Sequence, residues 1–265
     1  GVVYALNEAN GEVLWQTTVP GEVVASPAVE DGRVVVLTTS GRLMALDTDE
    51  GKLQWTLSEE QPPLTLRSAS TPVITNGAVL YGRADGKVGI ALLSNGQPVR
   101  QSKVADPRGA TELDRMVDVD ARPLIAGDEL YAIAYNGQLM ARKLMTGDEV
   151  WKRKYSGYRD MAVTGNAIVL TDSRSHLFAV DRRNGLELWS NTQLENRTVT
   201  APVVLGDYVV VGDVEGYLYW LDRTDGSIKA MQQLDSSGLY AAPLVDGDTL
   251  YVQSRGGKLY AIKRP

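Results

Sequence analysis

Short runs of Val, Leu, Ile and Tyr, three to six residues long, alternate along the chain with turn residues. Examples are Val34–Leu37, Leu130–Ile133, Val209–Val211 and Lys258–Lys263. Such runs, rich in β-branched and aromatic residues and bounded by turns, predict short strands packed on both faces. Tight-turn dipeptides separate them: Asp31-Gly32, Asn76-Gly77, Asp85-Gly86, Asn95-Gly96, Asn136-Gly137, Asn184-Gly185 and Asp246-Gly247. Asn-Gly and Asp-Gly supply the positive φ angles that two-residue hairpins need.

The runs recur in a larger unit. A strand ends in Ala-Leu-Asp or a close variant, a Gly follows, and a Trp stands four residues after the Gly. "GRLMALDTDEGKLQW" (Gly41 to Trp55) and "HLFAVDRRNGLELW" (His176 to Trp189) show it best. The Gly falls at Gly11, Gly51, Gly96, Gly147, Gly185 and Gly226, at spacings of 40, 45, 51, 38 and 41 residues. Four residues later stand Trp15, Trp55, Arg100, Trp151, Trp189 and Ala230. Pro27, Pro72, Pro123, Pro202 and Pro243 open the following strands. A period near 40 residues with four strands each predicts an all-β fold, a β-propeller of four-stranded antiparallel blades with about six blades present. A Trp at a recurring position predicts core packing against the neighbouring blade. The chain opens at Gly1-Val2-Val3-Tyr4-Ala5-Leu6-Asn7, inside a repeat. The expectation is one propeller domain over residues 1–265 whose first blades precede this sequence.

Composition narrows the function classes. Of 265 residues, 43% are hydrophobic and 23% charged, ordinary for a globular chain. A net charge of −6 disfavours a general nucleic-acid or anionic-membrane binder. No apolar run approaches the length of a spanning helix. With no Cys, this sequence holds neither a disulfide framework nor a thiolate metal site. With His176 alone, a His-based triad or a metal site with two His ligands is excluded; His176 reads as a surface or edge residue. Asp47, Asp181 and Asp222 end strands before turns, where a carboxylate accepts backbone N–H bonds. No catalytic residue, cofactor site or metal site is assigned, and the chain reads as non-enzymatic.

The Ala-Leu-Asp-x-x-x-Gly-x-x-x-Trp signature resembles the pyrroloquinoline-quinone-type propeller repeat. That repeat occurs in quinoprotein dehydrogenases and in non-enzymatic propellers, so alone it says little about function. Two lengthened connectors are more specific: "EEQPPLTLRSASTP" (Glu59 to Pro72) and "GATELDRMVDVDARP" (Gly109 to Pro123). With "VVGDVEGYLYWLDRTDGSIKAMQQLDSSG" (Val210 to Gly238), they resemble the BamB family of outer-membrane β-barrel assembly lipoproteins. The resemblance implies an eight-bladed propeller in the full family member, of which about the last six blades stand here. It implies a signal peptide, a lipid-carrying Cys and further blades ahead of this sequence. It implies a location on the periplasmic face of the Gram-negative outer membrane, with the membrane reached only through that lipid anchor. It also implies an adaptor subunit that binds the periplasmic POTRA domains of BamA and assists folding and insertion of outer-membrane proteins, with unfolded outer-membrane proteins as further partners. The partner-binding residues implied are Leu64, Leu66 and Arg67 of the first connector and Asp118 and Asp120 of the second.

The residues themselves admit two readings. An extended connector places Leu64 and Leu66 on one face, stiffened by Pro62-Pro63 and flanked by an Arg able to fork onto a carboxylate; alternatively, both Leu tuck under a blade edge. Asp118 and Asp120 either receive basic side chains from a partner or pair with Arg67, Arg115 or Arg122. Two other classes stay open. One is the sensor domain of a membrane kinase. The other is a quinoprotein dehydrogenase fragment, which would need a stacked quinone, a vicinal disulfide and bound Ca²⁺.

Overall fold

The computed structural model describes all residues 1–265 and contains strands and turns with no helix. The strands form seven antiparallel sheets. The first has two strands, β1 (Val2–Leu6) and β2 (Val13–Thr18). Five four-stranded sheets follow. They comprise β3 (Ala28–Glu30), β4 (Arg33–Leu37), β5 (Arg42–Asp47) and β6 (Leu53–Ser58); β7 (Val73–Thr75), β8 (Ala78–Gly82), β9 (Lys87–Leu92) and β10 (Pro98–Lys103); β11 (Leu124–Ala126), β12 (Glu129–Ile133), β13 (Leu139–Lys143) and β14 (Glu149–Arg153); β15 (Ala162–Thr164), β16 (Ala167–Thr171), β17 (Leu177–Asp181) and β18 (Glu187–Asn191); and β19 (Val203–Leu205), β20 (Tyr208–Gly212), β21 (Tyr217–Asp222) and β22 (Ile228–Gln233). The last sheet has three strands, β23 (Leu244–Asp246), β24 (Thr249–Gln253) and β25 (Leu259–Lys263). The about six blades read from sequence thus resolve into five full sheets and two partial ones.

By contact density the chain forms two compact units. One comprises Gly1–Pro123 with Ala132–Gln138, the other Leu124–Tyr131 with Leu139–Pro265. Within each unit, sheets pack face against face. The second strand of a sheet serves both faces at once. In β4, Val34 and Val36 pack with Val3 and Val19, while Val35 and Leu37 pack with Val79 and Tyr81 of the next sheet. In β20, Val209 and Val211 pack toward Trp189, and Val210 toward Leu250 and Val252. A strand buried on both sides has no polar face, hence the unbroken Val runs.

The Gly–Trp signature has a direct structural cause. The indole N–H groups of Trp15, Trp55, Trp151 and Trp189 donate to Thr48 O, Leu93 O, Arg182 O and Arg223 O, each in the following sheet, at 2.8, 2.8, 2.7 and 2.9 Å. The ring then lies on the next repeat's turn Gly: a Cβ on Gly96 (φ 73°) would stand 2.5 Å from the Trp55 ring. That Gly is required twice, for its left-handed backbone and for its missing side chain. The Ala of the signature faces the Trp across the strand pair, as Ala45 faces Trp55 and Ala179 faces Trp189. In the last full repeat the pair is exchanged, with Trp220 on β21 facing Ala230 on β22. The sequence exception at Ala230 is therefore a swap, and the indole still fills the space toward the following sheet. Asp31-Gly32 (φ 48° and 72°) and Asn76-Gly77 (φ 49° and 71°) adopt the turn their types predict. Asp47 accepts from the Asp49 and Glu50 N–H groups, Asp181 from Arg183 and Asp222 from Thr224, as expected for turn carboxylates.

Candidate partner-binding site

The connector of residues 59–72 runs from the end of β6 to the start of β7. Its first residue is held by three links. Glu59 N–H donates to Gly41 O at 3.0 Å, and the Glu59 carboxylate accepts from the Tyr81 hydroxyl at 2.5 Å and pairs with Arg83 at 2.6 Å. Arg83 also forks onto Asp85, with N···O distances of 3.0 and 2.9 Å. Burial together with the adjacent Glu59 charge pushes the Tyr81 hydroxyl above its ordinary range. It therefore stays protonated and donates.

The second connector, residues 109–123, crosses the end of β8. Val119 N–H donates to Arg83 O at 3.0 Å, and Ser70 of the first connector donates to Ala121 O at 3.2 Å. A Cβ at position 82 would fall 1.8 Å from Val119 O, so Gly82 is what permits the crossing. The two connectors meet over a cavity of about 30 Å³, lined by Glu59, Leu66, Tyr81, Arg83, Asp118 and Asp120 among others. That is room for one or two waters and far below the roughly 300–1,000 Å³ of a small-molecule site.

The five residues singled out in the sequence fall at this junction with different exposures. Leu64 is 42% exposed and Arg67 is exposed, while Leu66 is half-buried and lines the cavity. The two Leu therefore divide the alternatives, one open and one tucked. Arg67 binds Glu22 of the connector before β3, with Nε and Nη2 at 3.3 and 2.8 Å from the two carboxylate oxygens. The Arg67 guanidinium holds the Glu22 carboxyl below its usual range.

Asp118 and Asp120 depart from expectation. They are 1% and 9% exposed, so they present no carboxylate to the surface. Nor does Arg67 or Arg115 serve them, since Arg67 is on Glu22 and Arg115 is on Glu112 at 3.2 Å and Gly109 O at 3.1 Å. Instead, Asp118 Oδ1 accepts the Leu66 backbone N–H at 2.9 Å, and Asp118 O accepts from Tyr135 at 2.9 Å. Oδ2 of each Asp is buried without a hydrogen-bond partner. Burial raises the Asp118 carboxyl. Burial first, and the Asp118 charge second, push Asp120 up to about 7. His176 also departs from a simple surface role. Its Nδ1 is 3.0 Å from Asp172 and Nε2 is 3.7 Å from Glu195, and the ring is half-buried.

Glu22, Tyr81 and Arg83 were not among the residues read from sequence. Arg83 carried a signal: it follows the second strand of its blade, where Asp172 and Asp213 stand in later repeats. The other repeats hold Thr38, Ala134 and Ser254 there, so Arg83 is the one cation at this position.

The profile of the family described as outer membrane protein assembly factor BamB matches residues 1–191 and 187–264. The chain belongs to this family. The BamB of Shewanella oneidensis is 46% identical over 204 residues, covering 77% of this chain and 52% of the relative. The BamB of Escherichia coli is 39% identical over 202 residues, covering 76% and 52%. The chain thus spans about half the length of the curated relatives it matches. The crystal structure of BamB from Moraxella catarrhalis superposes with a TM-score of 0.94 at 27% identity, covering all of this chain and 79% of that one. The fold is accordingly that of the BamB β-propeller. A europium-containing methanol dehydrogenase matches at a TM-score of 0.65 and 13% identity, a likeness of fold alone.

Proposed function

We propose that the chain is a non-enzymatic adaptor of the outer-membrane β-barrel assembly machinery. It docks the periplasmic POTRA domains of BamA through the surface that Leu64 and Arg67 present. In that role it works at the periplasmic face of the outer membrane, held there by a lipid anchor, and assists folding and insertion of outer-membrane proteins. The observation that carries this reading is the 59–72 connector: it projects an apolar side chain and a guanidinium from a base fixed by Glu59, Arg83 and Asp118. A rigid base lowers the ordering cost of binding. Arg is among the residues enriched at interface hot spots, and Leu64 beside Arg67 adds apolar area to bury. The Arg67–Glu22 pair is solvent-exposed and weakly held, so a partner carboxylate can replace Glu22 without a large loss.

Membership of a family of assembly factors supports the class of role. Its test is a binding titration of this chain against the purified periplasmic region of BamA, with Leu64→Ala/Arg67→Ala beside wild type. Saturable binding that the double variant loses while its thermal melt stays unchanged is the expected outcome. Equal binding by both would remove this surface from the reading.

A further inference from the structure

Asp118 lies at the centre of the candidate surface yet cannot touch a partner, being 1% exposed. What it does touch is informative. Its Oδ1 accepts the N–H of Leu66, which stands between the two exposed side chains, Leu64 and Arg67. Residues 64–67 belong to no strand, so no ladder bond fixes them. The peptide unit that follows Asp118 is itself held at both its polar groups: the Asp118 carbonyl accepts from Tyr135 N–H, and Val119 N–H donates to Arg83 O. The second connector thereby passes its position to residues 64–67 through one hydrogen bond.

We propose, on the adaptor reading above, that Asp118 is a positioning residue that orders the Leu64–Arg67 segment as a hydrogen-bond acceptor, its negative charge being dispensable. Three observations favour an acceptor over a charge. The carboxylate is sealed from solvent. Its second oxygen finds no hydrogen-bond partner, and Asp120, another carboxyl with an orphan oxygen, lines the same cavity. Two carboxylates around so small a cavity repel, so a neutral group at one position is favoured.

An Asn at 118 keeps the acceptor and the shape and loses the charge, while an Ala loses both. Two readouts separate the alternatives: exchange of the Leu66 amide hydrogen in the free chain, and affinity for the BamA periplasmic region. The expected result is that Asp118→Asn stays within about twofold of wild type in both. Asp118→Ala exposes the Leu66 amide and weakens binding by on the order of tenfold, the cost of ordering about one backbone residue at the moment of docking. Loss of binding in Asp118→Asn with the Leu66 amide still protected would overturn the proposal, because charge would then matter. An unchanged Leu66 amide in Asp118→Ala would overturn it as well. Should Asp118→Ala not fold, Asp118→Asn alone decides, by retaining or losing both properties. If wild type itself fails to bind, the adaptor reading falls, and the amide exchange in the two variants still decides what Asp118 does.

Discussion

Two connectors occupy the same place in the repeat, between the fourth strand of one sheet and the first strand of the next, and behave in opposite ways. Residues 192–202, after β18, close down on their blade. Leu194 is 3% exposed and joins the core with Val199, Trp189 and Val209. Asn196 N–H donates to Arg174 O, Val199 N–H to Ser175 Oγ and Thr200 N–H to Gly212 O, at 2.9, 3.2 and 2.8 Å. Asn196 and Thr198 adopt φ of 64° and 50° to make these bonds. Residues 59–72, three residues longer, fix their base but leave Leu64 and Arg67 outside. The charge pattern beneath is inverted too. Under 192–202 a buried Asp213 accepts from Tyr219 at 2.9 Å and pairs with Arg197 of the connector at 3.2 Å. Under 59–72 a half-buried Arg83 pairs with Glu59 of the connector. The same repeat position thus builds either a seal or a platform, and the difference lies in where the connector spends its apolar side chain.

Breaking the sealed connector carries the largest expected effect. Asp213→Ala strips the acceptor from Tyr219 and the Glu215 and Tyr217 N–H groups and leaves Arg197 without this carboxylate. With those donors left unsatisfied and Arg197 still paired with Glu215, it is expected to cost on the order of 3–5 kcal/mol, read from urea denaturation. Leu194→Ala opens a cavity in the same core and is expected to cost roughly 2–4 kcal/mol by the same measurement. Neither change is expected to alter affinity for BamA in the folded population.

A pH-dependent effect sharpens the comparison at the platform. Asp120 is pushed up to about 7 in the folded chain, above its value when unfolded. The folded state then holds a proton that the unfolded state has released, so stability falls as pH rises from about 4 to about 7 and is level above that. Asp120→Asn removes this penalty. The variant is expected to match wild type in urea midpoint near pH 4 and to exceed it near pH 8. A midpoint difference independent of pH would contradict the burial argument. The smallest effect is at the exposed tip, where Leu64→Ala/Arg67→Ala is expected to leave the melting temperature unchanged, since both side chains are outside the core.

Legibility followed locality. The Gly–Trp repeat, the Asn-Gly and Asp-Gly hairpins and the doubly buried Val runs are written within a few residues each, and the sheets form where those signals stand. The junction of the two connectors was legible only as a list of residue types. Asp118 is bound to a backbone N–H 52 residues away, and a backbone N–H has no sequence signature. Arg67 finds Glu22 at a separation of 45 residues. Nothing in "DVDARP" distinguishes a carboxylate facing solvent from one facing a cavity, because an irregular connector has no period to assign a face. The exchange of Trp220 and Ala230 escaped for a related reason: the repeat was read along one strand, and the indole had crossed to its partner.

The platform account is tested most directly by placing a photoreactive aromatic residue at position 64 and, in a second variant, at position 193 of the sealed connector, then irradiating each with the BamA periplasmic region. Both positions are exposed, so labelling efficiency is comparable. The account predicts a cross-linked product from position 64 and none from position 193. A product from 193 with none from 64 would contradict it.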